Sequence, residues 1–155
     1  GDRWALSCAT GEPLRAWDDW NHEFKFTYDE LRRPVDRLVS TSGGTDVLLD
    51  RTVYGELLAS PDTTNHRGRV YRRYDGGGAA TIPGYDFKGN ATSQERVLPS
   101  SKTTRPDWTA IQASTTIAAM ATAASSLLSF SMIGVRFRGS STAATMVSLW
   151  ASRPT

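Results

Sequence analysis

With 155 residues, 39% of them hydrophobic and 22% charged, the chain is long enough for one domain with its own core and short for two. A net charge of +2 gives no electrostatic case for nucleic acid, which needs a clustered basic face. The single cysteine, Cys8, excludes an intrachain disulfide, and with only His22 and His66 beside it the chain falls one ligand short of a structural zinc site.

Taken in order, Trp4 to Ala9 alternates weakly and reads as a strand, closed by a turn at Gly11-Glu12-Pro13. Cys8 within it reads as a small half-buried apolar side chain rather than a nucleophile. Leu14 to Trp17 is the next strand, and Asp18-Asp19-Trp20-Asn21-His22 a polar turn. Glu23 to Tyr28 sets Phe24, Phe26 and Tyr28 against Glu23, Lys25 and Thr27, the alternation of a half-buried strand. Val35 to Thr41 follows, closed by Ser42-Gly43-Gly44-Thr45-Asp46. In Asp46 to Ala59 the apolar positions Val47, Leu48, Leu49, Val53, Leu57 and Leu58 fit one face of a short helix about as well as a strand. Ser60 to Gly68 is a loop by its Pro, Asp, Asn and Gly content. Val70 to Tyr74 and Thr81-Ile82 are strands around the turn Gly76-Gly77-Gly78, which lacks the Lys-Ser or Lys-Thr of a phosphate cradle. Ala91 to Leu98 is a further strand, and Pro99 to Asp107 a polar linker.

A repeat underlies this order. Trp17-Asp18 and Tyr28-Asp29 are eleven residues apart, and so are Tyr74-Asp75 and Tyr85-Asp86. An aromatic that closes a strand packs on its neighbour, and the Asp after it hydrogen-bonds its own turn, so a recurring aromatic-Asp step marks a recurring strand-turn unit. The segments LRAWDDWNHEFKFTYDELRRPV, RTVYGE (Arg51 to Glu56) and RGRVYRRYDGGGAATIPGYDFKGN, in order over residues 13–107, resemble the RHS, or YD-repeat, family, and within it the wall-forming repeats of bacterial insecticidal toxin-complex proteins. The resemblance implies an antiparallel β-meander, a few hairpins of a sheet that spirals into a hollow shell around a toxin cargo, with no catalysis by the wall. It also implies a secreted or cell-surface bacterial origin. A strip cut from such a sheet exposes edges, so either the tail covers them or the chain self-associates through them. No basic-then-apolar leader is present, and Gly1 reads as a tag remnant or a start inside a longer gene.

At Trp108 the composition changes, which divides the chain into residues 1–107 and 108–155. Residues 108–155 contain no Asp, Glu, Lys, His, Asn or Tyr, only Arg136, Arg138 and Arg153 as charges. Three readings compete: a shift of coding frame in a GC-rich gene, a membrane span over the 28 uncharged residues from Trp108 to Val135, and an ordinary buried element. The Ser and Thr content argues against the span. In the third reading Ile111 to Leu128 is an alanine-rich helix that covers the sheet, and Met146 to Trp150 a final strand. The fold class expected is therefore mainly β, with an Ala-rich helix in the C-terminal third.

Catalytic motifs are missing: there is no metalloprotease helix, nucleophile elbow, P-loop or EF-hand. One polar constellation stands out, Asp18, Asp19, His22 and Glu23. Its preferred reading is a solvated Asx turn. In the alternative, Asp18, Asp19 and Glu23 are ligands for a hard cation such as calcium and His22 is the general base of a small ester or lactone hydrolase, a chain of the kind recovered from environmental DNA. Asp46, Asp50, Asp62 and His66 form a second grouping of similar content, spread over a loop. The structural reading requires no cofactor. Trp17, Tyr28, Tyr74 and Tyr85 are expected to stack on the sheet as large buried aromatics.

Overall fold

The computed structural model describes residues 1–136 apart from Lys102, with 129–136 described by backbone alone. Nine strands lie in one sheet in the order in which they occur along the chain, every neighbouring pair antiparallel. They are β1 (Trp4–Ser7), β2 (Pro13–Trp17), β3 (His22–Tyr28), β4 (Pro34–Thr41), β5 (Val47–Tyr54), β6 (Val70–Asp75), β7 (Gly78–Thr81), β8 (Ser93–Pro99) and β9 (Leu128–Arg136). The structure is the expected meander with a helical segment in its C-terminal third. The strand expected at Met146 to Trp150 lies outside the described residues.

The segment Asp46 to Ala59 is a strand and not a helix. Arg37 pairs with Asp50 but Leu38 pairs with Leu48, so Leu49 is an extra residue inserted in β5. The bulge turns Leu48 and Leu49 inward together, and this breaks the alternation that would have marked a strand. Only Gly55–Leu57 is helical, a single 3-10 turn.

Likewise the alanine-rich stretch is two helices, α1 (Thr109–Gln112) and α2 (Ile117–Ser125). The break has two physical causes. Thr116 accepts a hydrogen bond from the Ala119 N–H and so begins a new helix as its N-cap. Arg51 holds the end of the first: its Nη1 donates to the carbonyls of Ile111 (2.5 Å) and Ser114 (2.9 Å), and its Nη2 to that of Gln112. A guanidinium at a helix C-terminus satisfies carbonyls that have no partner inside the helix. Asp36, cross-strand from Arg51, grips the other side of the same group with both carboxylate oxygens at 2.6 and 2.8 Å.

These helices cover one face of the sheet. Leu38, Leu48, Val53, Tyr74 and Ala79 from the strands meet Trp108, Ile111, Met120 and Ala124 from above. Tyr74 is 1% exposed and its ring lies 5.5 Å from that of Trp108, whose indole N–H donates to the Asp75 carbonyl. The opposite face carries a cross-strand ladder of charge, Arg37 to Asp50 at 2.5 Å and Arg73 to the same carboxylate at 3.8 Å. By contrast β1, β2 and β3 have no buried residue at all. Among the described residues no helix is long and apolar enough to cross a membrane.

Candidate functional site

The recurring aromatic-Asp step has a definite geometry. In the loops that follow Trp17, Tyr28 and Tyr85, the N–H of Asp18, Asp29 or Asp86 donates to the carbonyl four residues on. The same Asp accepts in return, through Oδ1, from the N–H of His22, Arg33 or Asn90. Closing such a loop needs a left-handed residue at its fourth position, supplied by Asn21 (φ 58°), Arg32 (φ 60°) and Gly89 (φ 90°). Asn90 holds the Asp86 carboxyl below its ordinary value through its side chain and N–H. For Asp18 and Asp29 partial burial pushes the carboxyl up, but hydrogen bonds from His22 and Arg33 outweigh it and the net shift is downward. Asp75 works differently: it caps a tight Gly76-Gly77 turn by accepting from the Gly77 N–H and pairs with Arg96.

A fifth loop, marked in the sequence only as the turn at Gly11-Glu12-Pro13 and not as an aromatic-Asp step, follows the same course. Cys8 N–H donates to the Glu12 carbonyl at 2.9 Å, and Gly11 at φ 97° takes the fourth position. Here the acid sits at the end of the loop, and the Cys8 thiol and Thr10 hydroxyl hold the Glu12 carboxyl at about 2.

In two of the steps, and in Tyr54, the aromatic acts through its hydroxyl. Tyr28 donates to the Pro13 carbonyl (2.6 Å), Tyr54 to Pro34 (3.1 Å) and Tyr85 to Val70 (2.7 Å). Each clamps the end of one strand, or of the turn beyond it, to the start of an earlier one. The four expected aromatics do not stack on one another. Tyr74 alone is core, Tyr85 meets His66 edge-on at 5.3 Å, and Trp17 and Tyr28 are half-buried. The short step Tyr54-Gly55-Glu56 keeps the clamp while Glu56 accepts from Arg33 and from the Gly68 N–H. Arg33 also lies over the Tyr54 ring at 3.9 Å.

Of the first constellation, the structure brings together only Asp18 and His22, with Asp18 Oδ2 2.9 Å from His22 Nδ1. That pairing leaves Nε2 as the basic nitrogen of a neutral imidazole. Among the described residues His22 makes no hydrogen bond to a hydroxyl or thiol. Asp19 turns away toward the N-terminal amine at 4.0 Å, and Glu23 points along β3 to Arg15 at 2.9 Å and Lys25 at 3.8 Å. The second grouping disperses too. Asp46 binds Lys25, Asp50 the two arginines of the ladder, and Asp62 binds Arg67. His66 is 1% exposed; its Nε2 donates to the Ile82 carbonyl at 2.8 Å, and its Nδ1 accepts from Thr64 at 2.6 Å. Its backbone lies so close to Gly55 that a Cβ there would sit 2.3 Å from that of His66. Among the described residues no three acidic, His or Cys side chains gather as a metal site. The bridges of Asp46 and Asp50 are to cations that the sequence places 13 to 23 residues away, which is why spacing alone did not reveal them.

Next to Asp18 lies a shallow, open depression lined by Trp17, Asp18, Asn21, Glu23, Ser42 and Gly43. Two turns form its rim, joined by the Ser42 N–H donating to the Asn21 carbonyl at 2.8 Å. The sequence marked Asn21, Ser42 and Gly43 only as turn residues, and all three have left-handed backbone.

No family model matches the sequence, and no curated protein matches it. Solved structures do. The crystal structure of TcdB2-TccC3-TEV superposes with a TM-score of 0.70 at 19% identity, over 86% of this chain and 6% of that one. TcdB2-TccC3 without its hypervariable C-terminal region gives the same values. The Photorhabdus luminescens Tc holotoxin pore gives 0.70 at 20% identity over the same shares. The chain thus spans a small fraction of the length of the chains that it matches, and its fold is toxin-complex-related.

Proposed function

We propose that the chain is a length of RHS-type shell wall, acting through sheet surface and edges and without catalysis of its own. The observation that carries this reading is the unbroken sequential meander, closed at three of its four aromatic-Asp steps by one repeated loop geometry and superposable on part of a toxin-complex chain over 86% of this chain. A wall built this way grows by adding hairpins, and its end strand β1 offers free backbone groups to another strand. The purified chain should give no turnover of p-nitrophenyl esters or acyl-homoserine lactones above buffer, with or without calcium. Turnover abolished by both His22→Ala and a chelator would overturn the reading in favour of a metal-assisted hydrolase. In this reading the chain belongs to a secreted or cell-surface assembly.

A further inference from the structure

The tie between β3 and the start of β5 brings an amine and two carboxylates together. Glu23 and Lys25 stand two residues apart on β3 and so share one face; Glu23 is opposite Ser40 and Lys25 opposite Leu38 on β4. Val39 in turn pairs with Val47, which sets Asp46 level with Ser40 on the far side of β4. Lys25 therefore reaches over β4, and its Nζ donates to both Asp46 oxygens, at 2.8 and 3.0 Å. A nitrogen held evenly between two carboxylate oxygens is in van der Waals contact with the carboxyl carbon itself. Glu23 has Oε2 3.8 Å from the same nitrogen, and its Oε1 accepts from Arg15 at 2.9 Å, which fixes it beside the pair. Two further observations set this cluster apart from an ordinary ion pair. Arg15 lies directly opposite Lys25, a like-charge pairing that costs free energy in a ladder. Ser40, between Glu23 and Asp46, is 2% exposed, and its hydroxyl is the one buried side-chain polar atom without a partner among the described residues.

We propose that Lys25 and Asp46 condense to an intramolecular isopeptide bond, with Glu23 as the proton shuttle. The Lys25 nitrogen gives a proton to Glu23 and attacks the Asp46 carboxyl carbon; a C–N bond forms and a C–O bond breaks. Of the three ammonium protons one stays on the amide, and Glu23 passes the other two to the departing oxygen, which leaves as water. Glu23 ends as it began, and no oxidant or co-reactant is needed. Separate amines and carboxylates in water favour the hydrolysed side, but groups held in register react with effective molarities of about 10⁵–10⁸ M. The bond also removes the cation opposite Arg15 and lays a neutral amide beside the Ser40 hydroxyl. It closes a covalent ring across the boundary between the uncovered and covered strands.

Intact-mass spectrometry of the purified full chain under denaturing conditions, followed by tryptic mapping, tests this. The expected result is a mass one water below that of the sequence and a branched peptide joining Lys25 to Asp46, whether or not the chain is part of a shell. Lys25→Arg keeps the ion pair and the fold but cannot form the bond, and should have its full sequence mass; so should Asp46→Ala. Glu23→Gln leaves both reacting groups in place and should also keep its water, which loss of a merely structural Glu23 would not bring about. A succinimide at Asp75-Gly76 loses the same mass, so a loss that survives Lys25→Arg overturns the proposal. Full mass in the folded parent, or a branch from Lys25 to any other carboxylate, overturns it as well, and a Glu23→Gln chain crosslinked as fully as the parent removes the shuttle.

Discussion

The two ends of the sheet are built from the same strand-turn unit and held by different forces. From β4 to β8 the strands carry a second layer, with Trp108, Ile111, Met120 and Ala124 pressed onto Tyr74, Leu48 and Val53. From β1 to β3 nothing is buried, yet the register is kept: Trp4 opposite Trp17, Trp17 opposite Glu23, Phe24 opposite Val39. In that single layer the order comes from the loops, from the Tyr28 clamp on Pro13, and from links such as Arg32 to Thr10 and Lys25 to Asp46. Hydrogen-bonded turns specify pairing; buried area supplies most of the stability.

Trp108→Ala is the largest way to break this contrast. Removing a fully buried indole should cost about 3–5 kcal/mol in urea unfolding. Amide exchange should then rise most in β5 to β7, toward the level of the uncovered strands. An unchanged midpoint would mean that the second layer is not what stabilises the covered half.

Arg51→Met should cost about 3 kcal/mol, because it strands the largely buried Asp36 carboxylate and uncaps α1 while preserving volume. Its effect on exchange should concentrate in α1 and β4. None of this was legible in the sequence: Arg51 stands sixty residues from Ile111, and nothing in local pattern announces a strand arginine as a helix cap. The strands themselves were legible wherever alternation survived, as in β3. The Leu49 bulge hid β5, and the short alternation that opens β9, Leu128, Phe130 and Met132 against Ser129 and Ser131, was lost in the uncharged run that begins at Trp108. Of the candidate site, the Asp18 turn was visible because an Asx turn is local. Its rim at Ser42 was not, because that contact depends on the β3–β4 register.

Tyr28→Phe and Tyr85→Phe compare the clamps of the two regions. Each loses one hydroxyl-to-carbonyl bond, worth about 1 kcal/mol. Tyr28→Phe should raise amide exchange in β2 and β3 more than Tyr85→Phe raises it in β6, since the uncovered strands have no core to fall back on. Equal effects would dissolve the distinction.

The smallest effect concerns acid. Asp18, Asp29 and Asp86 all have folded pKa values below their unfolded ones. Their contribution is therefore complete above the unfolded value near 4 and is lost as pH falls through the lowered folded values. Asp86→Asn keeps an oxygen for the loop N–H groups but cannot titrate there. Below pH 4 its stability curve should run flatter than that of the parent, and identical acid slopes would show that the loop carboxylate carries no proton linkage.

The sequential strand order has a mechanical consequence. Tension applied between β1 and β9 pulls on the outermost strands of a sheet in which each strand is bonded only to its chain neighbours. The load falls on one ladder at a time, opening it bond by bond as a zipper opens, instead of shearing many bonds at once. Such a strip peels under low force, hairpin after hairpin, beginning at the uncovered end, and resists only where Trp108 and Arg51 fasten the second layer down.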